Sequence, residues 1–202
     1  MNEVRLCSRS CPYQSLTEKL QKMNLIQRVQ GILLNPNATW PIIRTEPDTP
    51  ASIYKNYVMV LALVPAICMF VGLSVIGPVP IVWGLINMFV SYLLSLIMVF
   101  VQALIIDALA PTFEATKDRV AAFKLAAYGG TAGFIGGLFA LLPALSFLGL
   151  VVGLYGIYLF YTGLPVLMKC PPKKAVAYTV VVIVCSIVSG FAVGMASSLL
   201  RP

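Results

Sequence analysis

The sequence has no histidine and little charge, with 14 Lys or Arg and 7 Asp or Glu among 202 residues. Without histidine, the chain lacks the usual near-neutral proton shuttle and the commonest metal ligand. Charged residues make up 10%, against about 25% in soluble domains, and apolar residues make up 59%. A soluble globule of this size could not bury so much apolar surface. The composition therefore excludes a soluble enzyme, and no catalytic, cofactor or metal set is predicted.

The apolar residues are grouped into runs that predict membrane-spanning helices. A membrane helix needs about 20 apolar residues. Beyond residue 53 the chain is almost continuously apolar, and it is interrupted by GPVP at 77–80, a charged stretch at 107–120 and KCPPKK at 169–174. We also place a tight hairpin at Pro143. The sequence thus predicts an all-α integral membrane protein with five transmembrane helices, at about 54–76, 81–106, 121–142, 144–168 and 175–200.

The basic residues indicate how the chain is threaded through the bilayer. Of the 14, all except Arg201 fall before or at the start of the first span, or in the connections 107–124 and 169–174. Basic residues in short loops stay cytoplasmic. We therefore expect the N-terminus in the cytoplasm and the C-terminus outside. The net charge of +7 becomes an orientation signal, and no nucleic-acid partner is expected.

The segment before the first span divides into two parts. Residues 1–22 share no pattern with the rest of the chain and are expected to be a disordered extension, or to precede a native start at Met23. Within 23–53, NLIQRVQGILL at 24–34 predicts a short amphipathic helix with its apolar residues on one face. Such a helix suits the inner leaflet, with Trp40 anchored at headgroup level. The alternative is that the helix packs on the same protein.

Small residues recur every four positions in the last three spans, a spacing that lets helix backbones approach closely. The pattern indicates either a dimer interface or packing within the chain. The residues concerned are Gly129, Gly133 and Gly137 in the third span, Gly149 and Gly153 in the fourth, and Ser186, Gly190, Gly194 and Ser198 in the fifth.

Polar residues in the second span form a stripe on one side of the helix, namely Asn87, Ser91, Ser95 and Gln102. Such a stripe lines a transport path or forms interhelical hydrogen bonds. At the inner end of this span lies Asp107, an ionisable residue near the membrane boundary. We expect it to form an ion pair with Lys124, with Lys117 and Arg119 as alternative partners.

Several stretches together resemble the bacterial members of the Yip family (Ypt/Rab-interacting proteins). They are MNLIQRVQGILLNPNATWPII at 23–43, DALAPTF at 107–113, AAYGG at 126–130 and GLYGIYLFYTGLPVLMKCPPKKAVAYTVVVIV at 153–184. The resemblance covers 23–200 and implies five spans, here 54–200, with a cytoplasmic N-terminus. Eukaryotic relatives act in vesicle traffic with Rab GTPases. This chain reads PASIYKNY where they carry Asp-Leu-Tyr-Gly-Pro, so that activity is not carried over.

The sequence therefore favours a non-enzymatic protein of the bacterial inner membrane that acts as a scaffold or membrane-organising partner. Its expected partners are the lipid bilayer and other membrane proteins, as a homo- or hetero-oligomer. The alternative is a small transporter or permease component that uses the polar stripe of the second span.

Overall fold

The computed structural model describes residues 25–141 and 145–199. The expectations for residues 1–22, for a start at Met23 and for the hairpin at Pro143 lie outside this part of the chain. Gly194 and Ser198 belong to a described helix, but their surroundings are likewise outside what the structure describes.

Helices make up nearly all of the described residues. We number them α1 Leu25–Leu34, α2 Pro36–Thr45, α3 Pro50–Ile76, α4 Ile81–Leu109, α5 Arg119–Gly129, α6 Thr131–Gly136, α7 Ser146–Leu167 and α8 Pro172–Leu199. Short 3-10 helices at Ala110–Phe113 and Gly137–Leu141 extend α4 and α6, and α3 includes two π-helical stretches. Side-chain caps fix the first turns of α3 and α5. Thr49 Oγ1 accepts from the Ser52 amide at α3, and Asp118 Oδ1 accepts from two amides at α5.

Four of the helices within the described ranges are long and apolar enough to cross a membrane. They are Pro50–Ile76, Ile81–Phe113, Phe147–Leu167 and Pro172–Phe191. Large apolar side chains on these helices are exposed, among them Phe89 and Phe147. In a bilayer, such side chains would face lipid. The chain is therefore an all-α integral membrane protein.

The segment predicted as a continuous third span, 121–142, is instead built from three helical pieces. α5 ends at Gly129, α6 runs to Gly136, and the 3-10 helix Gly137–Leu141 follows. Glycine pairs at both junctions loosen the helix, since glycine has the most conformational freedom to lose. The first junction is sheltered, because α5 from Ala121 to Gly129 is buried and so are Thr131 and Ala132 at the start of α6. Broken helices at membrane depth are tolerated where protein surrounds them.

Helix α5 lies at the centre of the bundle. It packs against α4 and α7, while α8 packs against the same two helices and α2 packs against α7. The largest fully buried side chains include Trp40, Tyr128 and Tyr178. The Tyr178 hydroxyl donates to the Ile106 carbonyl and so links α8 to the C-terminal end of α4. The N-terminal segment therefore contributes to the same core as the membrane helices.

Candidate functional site

A cluster of charged and phenolic groups joins the N-terminal segment to the central helix. Arg28 Nη1 and Nη2 donate to the two carboxylate oxygens of Glu46 at 2.8 and 2.9 Å, a bidentate pair. Arg28 Nη1 also donates to the Tyr128 hydroxyl at 2.5 Å and lies 3.5 Å from Asp48 Oδ2. We call Arg28, Glu46, Asp48 and Tyr128 the docking cluster. It fixes α1 and the α2–α3 connection against α5.

Burial makes the docking cluster sensitive to the loss of any member. The Arg28 and Glu46 side chains are 14% and 9% exposed. Burial raises the pKa of Glu46 above its ordinary value despite the opposing attraction of Arg28, and nearby Asp48 raises it further. A carboxylate that is already difficult to keep ionised depends on its cationic partner.

Further hydrogen bonds extend the contact around the docking cluster. Lys124 on α5 is 3% exposed, and its Nζ donates to the carbonyls of Ile43 at 2.8 Å and Glu46 at 2.6 Å. The Tyr57 hydroxyl lies 2.7 Å from Thr131 Oγ1, and the Tyr57 ring packs 4.6 Å from that of Tyr128. Lys124 thus holds the end of α2 rather than a carboxylate.

Trp40 provides the apolar part of the same attachment. It is fully buried, and its indole Nε1 donates to Thr162 Oγ1 at 3.1 Å. A Cβ at Gly163 would come within 2.8 Å of the indole ring, so only glycine leaves room for Trp40 at this position of α7. Sequence reasoning placed Trp40 among lipid headgroups, and that placement was wrong. The indole ring of Trp40 occupies the space that the absent side chain of Gly163 leaves.

The predicted ion pair between Asp107 and Lys124 does not form. Asp107 Oδ2 lies 3.7 Å from Arg119 Nε, which was one of the alternative partners. Asp107 Oδ1 is buried with no hydrogen-bond partner among the described residues. Lys124 points the other way, to the carbonyls of the α2–α3 connection, because those groups need a buried donor.

A second feature is a cleft of about 480 Å³ among α4, α5, α6, α7 and α8, which we call the membrane cleft. Its lining is mostly apolar and includes Phe134 and Phe160. The sequence-predicted residues that line it are Ser95, Gln102, Gly129, Gly133, Gly153 and Ser186. Gly133 and Gly153 are exposed, so the membrane cleft opens at the surface of the bundle.

The predicted small-residue faces divide into two groups. Gly149 packs closely on α6, since a Cβ there would lie 2.8 Å from the Gly136 carbonyl oxygen. Gly129 lies against the Phe160 ring and Gly137 against Pro65. By contrast, a Cβ at Gly133, Gly153 or Gly190 would meet nothing within 4 Å. Packing within the chain therefore involves Gly129, Gly137 and Gly149. It leaves open space at Gly133, Gly153 and Gly190.

The predicted polar stripe is also divided. Asn87 Nδ2 donates to the Trp83 carbonyl, Ser91 to the Met88 carbonyl and Ser95 to the Tyr92 carbonyl, all on their own helix. Only Ser95 and Gln102 line the membrane cleft. Gln102 is partly buried and has no hydrogen-bond partner in the described part of the chain. Ser186, from the small-residue set, donates to the Val182 carbonyl.

Sequence reasoning missed the docking cluster. Tyr128 and Gly163 lie in AAYGG and GLPVLM, two of the stretches that carry the family resemblance. A buried tyrosine with a polar tip needs a hydrogen-bond partner, and Arg28 is the charged residue of α1. Those signals indicate that each residue has a partner. They do not say which partner, because 100 residues separate the two.

Fold and sites together define a helical membrane protein whose N-terminal segment docks on its transmembrane bundle. Residues 31–194 match the Yip1 domain family, and the chain belongs to that family. It is similar to the inner membrane protein YohC of Escherichia coli strain K12, at 25% identity over 166 residues. That match covers 76% of this chain and 85% of YohC, and YohC of strain O6:H1 matches equally. The chain is thus an inner membrane protein of the Yip1 family.

No solved structure matches the chain. The Yip1 match begins at Gly31 inside α1, so it includes α2, the α2–α3 connection and most of the membrane helices, but not Arg28.

Proposed function

We propose that this protein is a non-enzymatic scaffold of the inner membrane that binds transmembrane helices of other protein molecules in the membrane cleft. The observation that carries this proposal is the open space at Gly133 and Gly153, which are exposed and where an added Cβ atom would meet nothing within 4 Å. Small residues let helices approach closely. The faces that are left unused within the chain can therefore receive a partner helix.

The proposal includes a five-span threading with a cytoplasmic N-terminus and an external C-terminus. Its support is the asymmetry of the basic residues and the length of the segment 119–141. Placed end to end at about 1.5 Å per residue, its three helical pieces reach about 35 Å, enough to cross the hydrocarbon core. We also propose that α1 lies at the membrane surface, since Ile26 is 67% exposed and Leu34 is 75% exposed.

Crosslinking in native membranes tests the scaffold. Gly153→Leu fills the membrane cleft, and we expect it to abolish crosslinks that the unaltered protein forms with other membrane proteins, including a second copy. The matched control is Leu154→Phe, which enlarges the neighbouring lipid-facing side chain, 55% exposed and outside the lining of the cleft. We expect this control to keep the crosslinks. Equal crosslinking by all three proteins would contradict the proposal.

The alternative function is transport of a small solute, and Gln102 is the observation that favours it. This side chain faces the membrane cleft without an internal hydrogen bond, as a solute ligand would. Purified protein in liposomes distinguishes the two functions. A scaffold gives no solute flux, whereas a transporter gives a flux that Gln102→Leu removes.

A further inference from the structure

Among the described residues, the acidic side chains all have partners, whereas several basic side chains do not. Each carboxylate in the described ranges has a partner: Glu46 and Asp48 with Arg28, Asp107 with Arg119, Glu114 with Lys174, and Asp118 with the first amides of α5. Five basic side chains in the same ranges are exposed and have no carboxylate within ion-pair distance. They are Arg44, Lys55, Lys117, Lys169 and Lys173. The surplus positive charge is therefore available to an external anion.

Two of these free cations, Arg44 and Lys169, line one cavity of about 350 Å³, which we call the headgroup pocket. Ala121 and Leu167 also line it, at the start of α5 and the end of α7. These are the points where the apolar segments meet the polar connections, so the headgroup pocket lies at the level of the lipid headgroups.

Three acidic residues also line the headgroup pocket, but the four cations in or beside it, Arg28, Arg44, Lys124 and Lys169, outnumber them by one. Glu46 and Asp48 face Arg28, and Asp118 Oδ1 accepts from the amides of Val120 and Ala121. The amino group of Lys124, which also lines the pocket, donates to two carbonyls. Arg44 and Lys169 thus remain as the cations of the pocket lining that have no ion-pair or hydrogen-bond partner among the described residues.

The backbone at Lys169 adds a second observation. Its φ is 51°, in the left-handed region that non-glycine residues seldom adopt. Such a conformation is unfavourable for a residue with a side chain and persists where the surrounding structure imposes it. Here the Thr116 amide donates to the preceding carbonyl, Met168, at 2.8 Å and fixes the turn. The side chain nevertheless forms no ion pair with the described part of the chain.

We propose that the headgroup pocket binds the phosphate of an anionic phospholipid between Arg44 and Lys169. The guanidinium of Arg44 can hold a phosphate with two parallel hydrogen bonds, and the ammonium of Lys169 adds a point charge. The acyl chains would then lie along the apolar surface of the bundle, where Tyr161 and Val176 are exposed. A lipid bound in this way would tie the N-terminal segment, the α4–α5 connection and α7 to one leaflet.

Titration of the purified full-length protein with phosphatidylglycerol, followed by native mass spectrometry, tests this site. We expect Arg44→Gln with Lys169→Gln to weaken binding of the first lipid by about 25-fold, since each basic residue near an anionic surface contributes about fivefold. The matched control, Lys55→Gln with Lys173→Gln, removes the same charge outside the pocket and should change the affinity little. Lys169→Arg should retain binding and shows that the position tolerates substitution.

Several results would overturn the proposal. Equal weakening by the two double variants would show diffuse attraction to the basic surface. Equal binding of phosphatidylcholine would show no selectivity for an anionic headgroup. Displacement of the lipid by inorganic phosphate at matched concentration would identify a soluble anion as the ligand. If the double variant unfolds, Lys169→Gln against Lys173→Gln decides in the same assay, and equal affinities of these two would also count against the site.

Discussion

Replacing Arg28 with methionine should lower the free energy of unfolding by about 3 kcal/mol or more. The change leaves the Glu46 carboxylate, 9% exposed, without its cation and removes the donor to the Tyr128 hydroxyl. Removal of one partner of a buried ion pair typically costs about 3–5 kcal/mol, because the remaining charge is uncompensated. Unfolding of the purified protein in mixed micelles, titrated with a denaturing detergent, measures the loss.

Two further measurements separate this effect from general damage. Lys117→Met makes a comparable change at an exposed basic residue without an ion pair among the described residues, and should alter stability by less than about 0.5 kcal/mol. In Arg28→Met, the loss should shrink as the pH falls from about 8 to about 5, because a carboxyl with a raised pKa takes up a proton and then needs no cation. A loss that is independent of pH, or equal in the two variants, would contradict the assignment.

Replacing Trp40 with alanine should destabilise the protein by about 3–5 kcal/mol, the usual range for removal of a buried tryptophan. The side chain is fully buried, and its deletion leaves a hole opposite Gly163 and removes the hydrogen bond to Thr162. The same unfolding titration measures the effect.

The chain offers a matched control in its other tryptophan, Trp83, which is 39% exposed on a membrane-spanning helix. Trp83→Ala should cost less than about 1 kcal/mol, because a lipid-facing side chain exchanges one apolar environment for another. If Trp83→Ala were as damaging as Trp40→Ala, the fit of the Trp40 indole against Gly163 would not be what holds the N-terminal segment in place.

The sequence was sufficient for the class of fold, and composition is the reason. Runs of about 20 apolar residues have few alternatives to membrane helices, since backbone amides in lipid must bond internally. Four of the predicted spans correspond to long helices. The segment 121–142 differs, because apolar composition does not reveal how paired glycines divide a helix that is shielded by its neighbours.

The sites could be predicted only in part, because their contacts join distant parts of the chain. Gly149 and Gly153 lie four residues apart on α7, in the same repeating pattern. Gly149 nevertheless lies against the Gly136 backbone, whereas Gly153 faces the open membrane cleft. Periodicity identifies a face but cannot identify what lies opposite it. The same limit applies to Asp107, whose expected partner Lys124 is engaged by carbonyls from a segment about 80 residues earlier.

The most direct test of docking by the N-terminal segment is amide hydrogen exchange of the full-length protein in lipid nanodiscs. The structure predicts that amides in Leu25–Leu34 and Pro36–Thr45 exchange slowly, because both helices are held by Arg28, Trp40 and the carbonyls bonded to Lys124. Opening these amides requires separation from the bundle. Exchange at the rate of an unstructured peptide would show that the segment is not docked and would contradict this account.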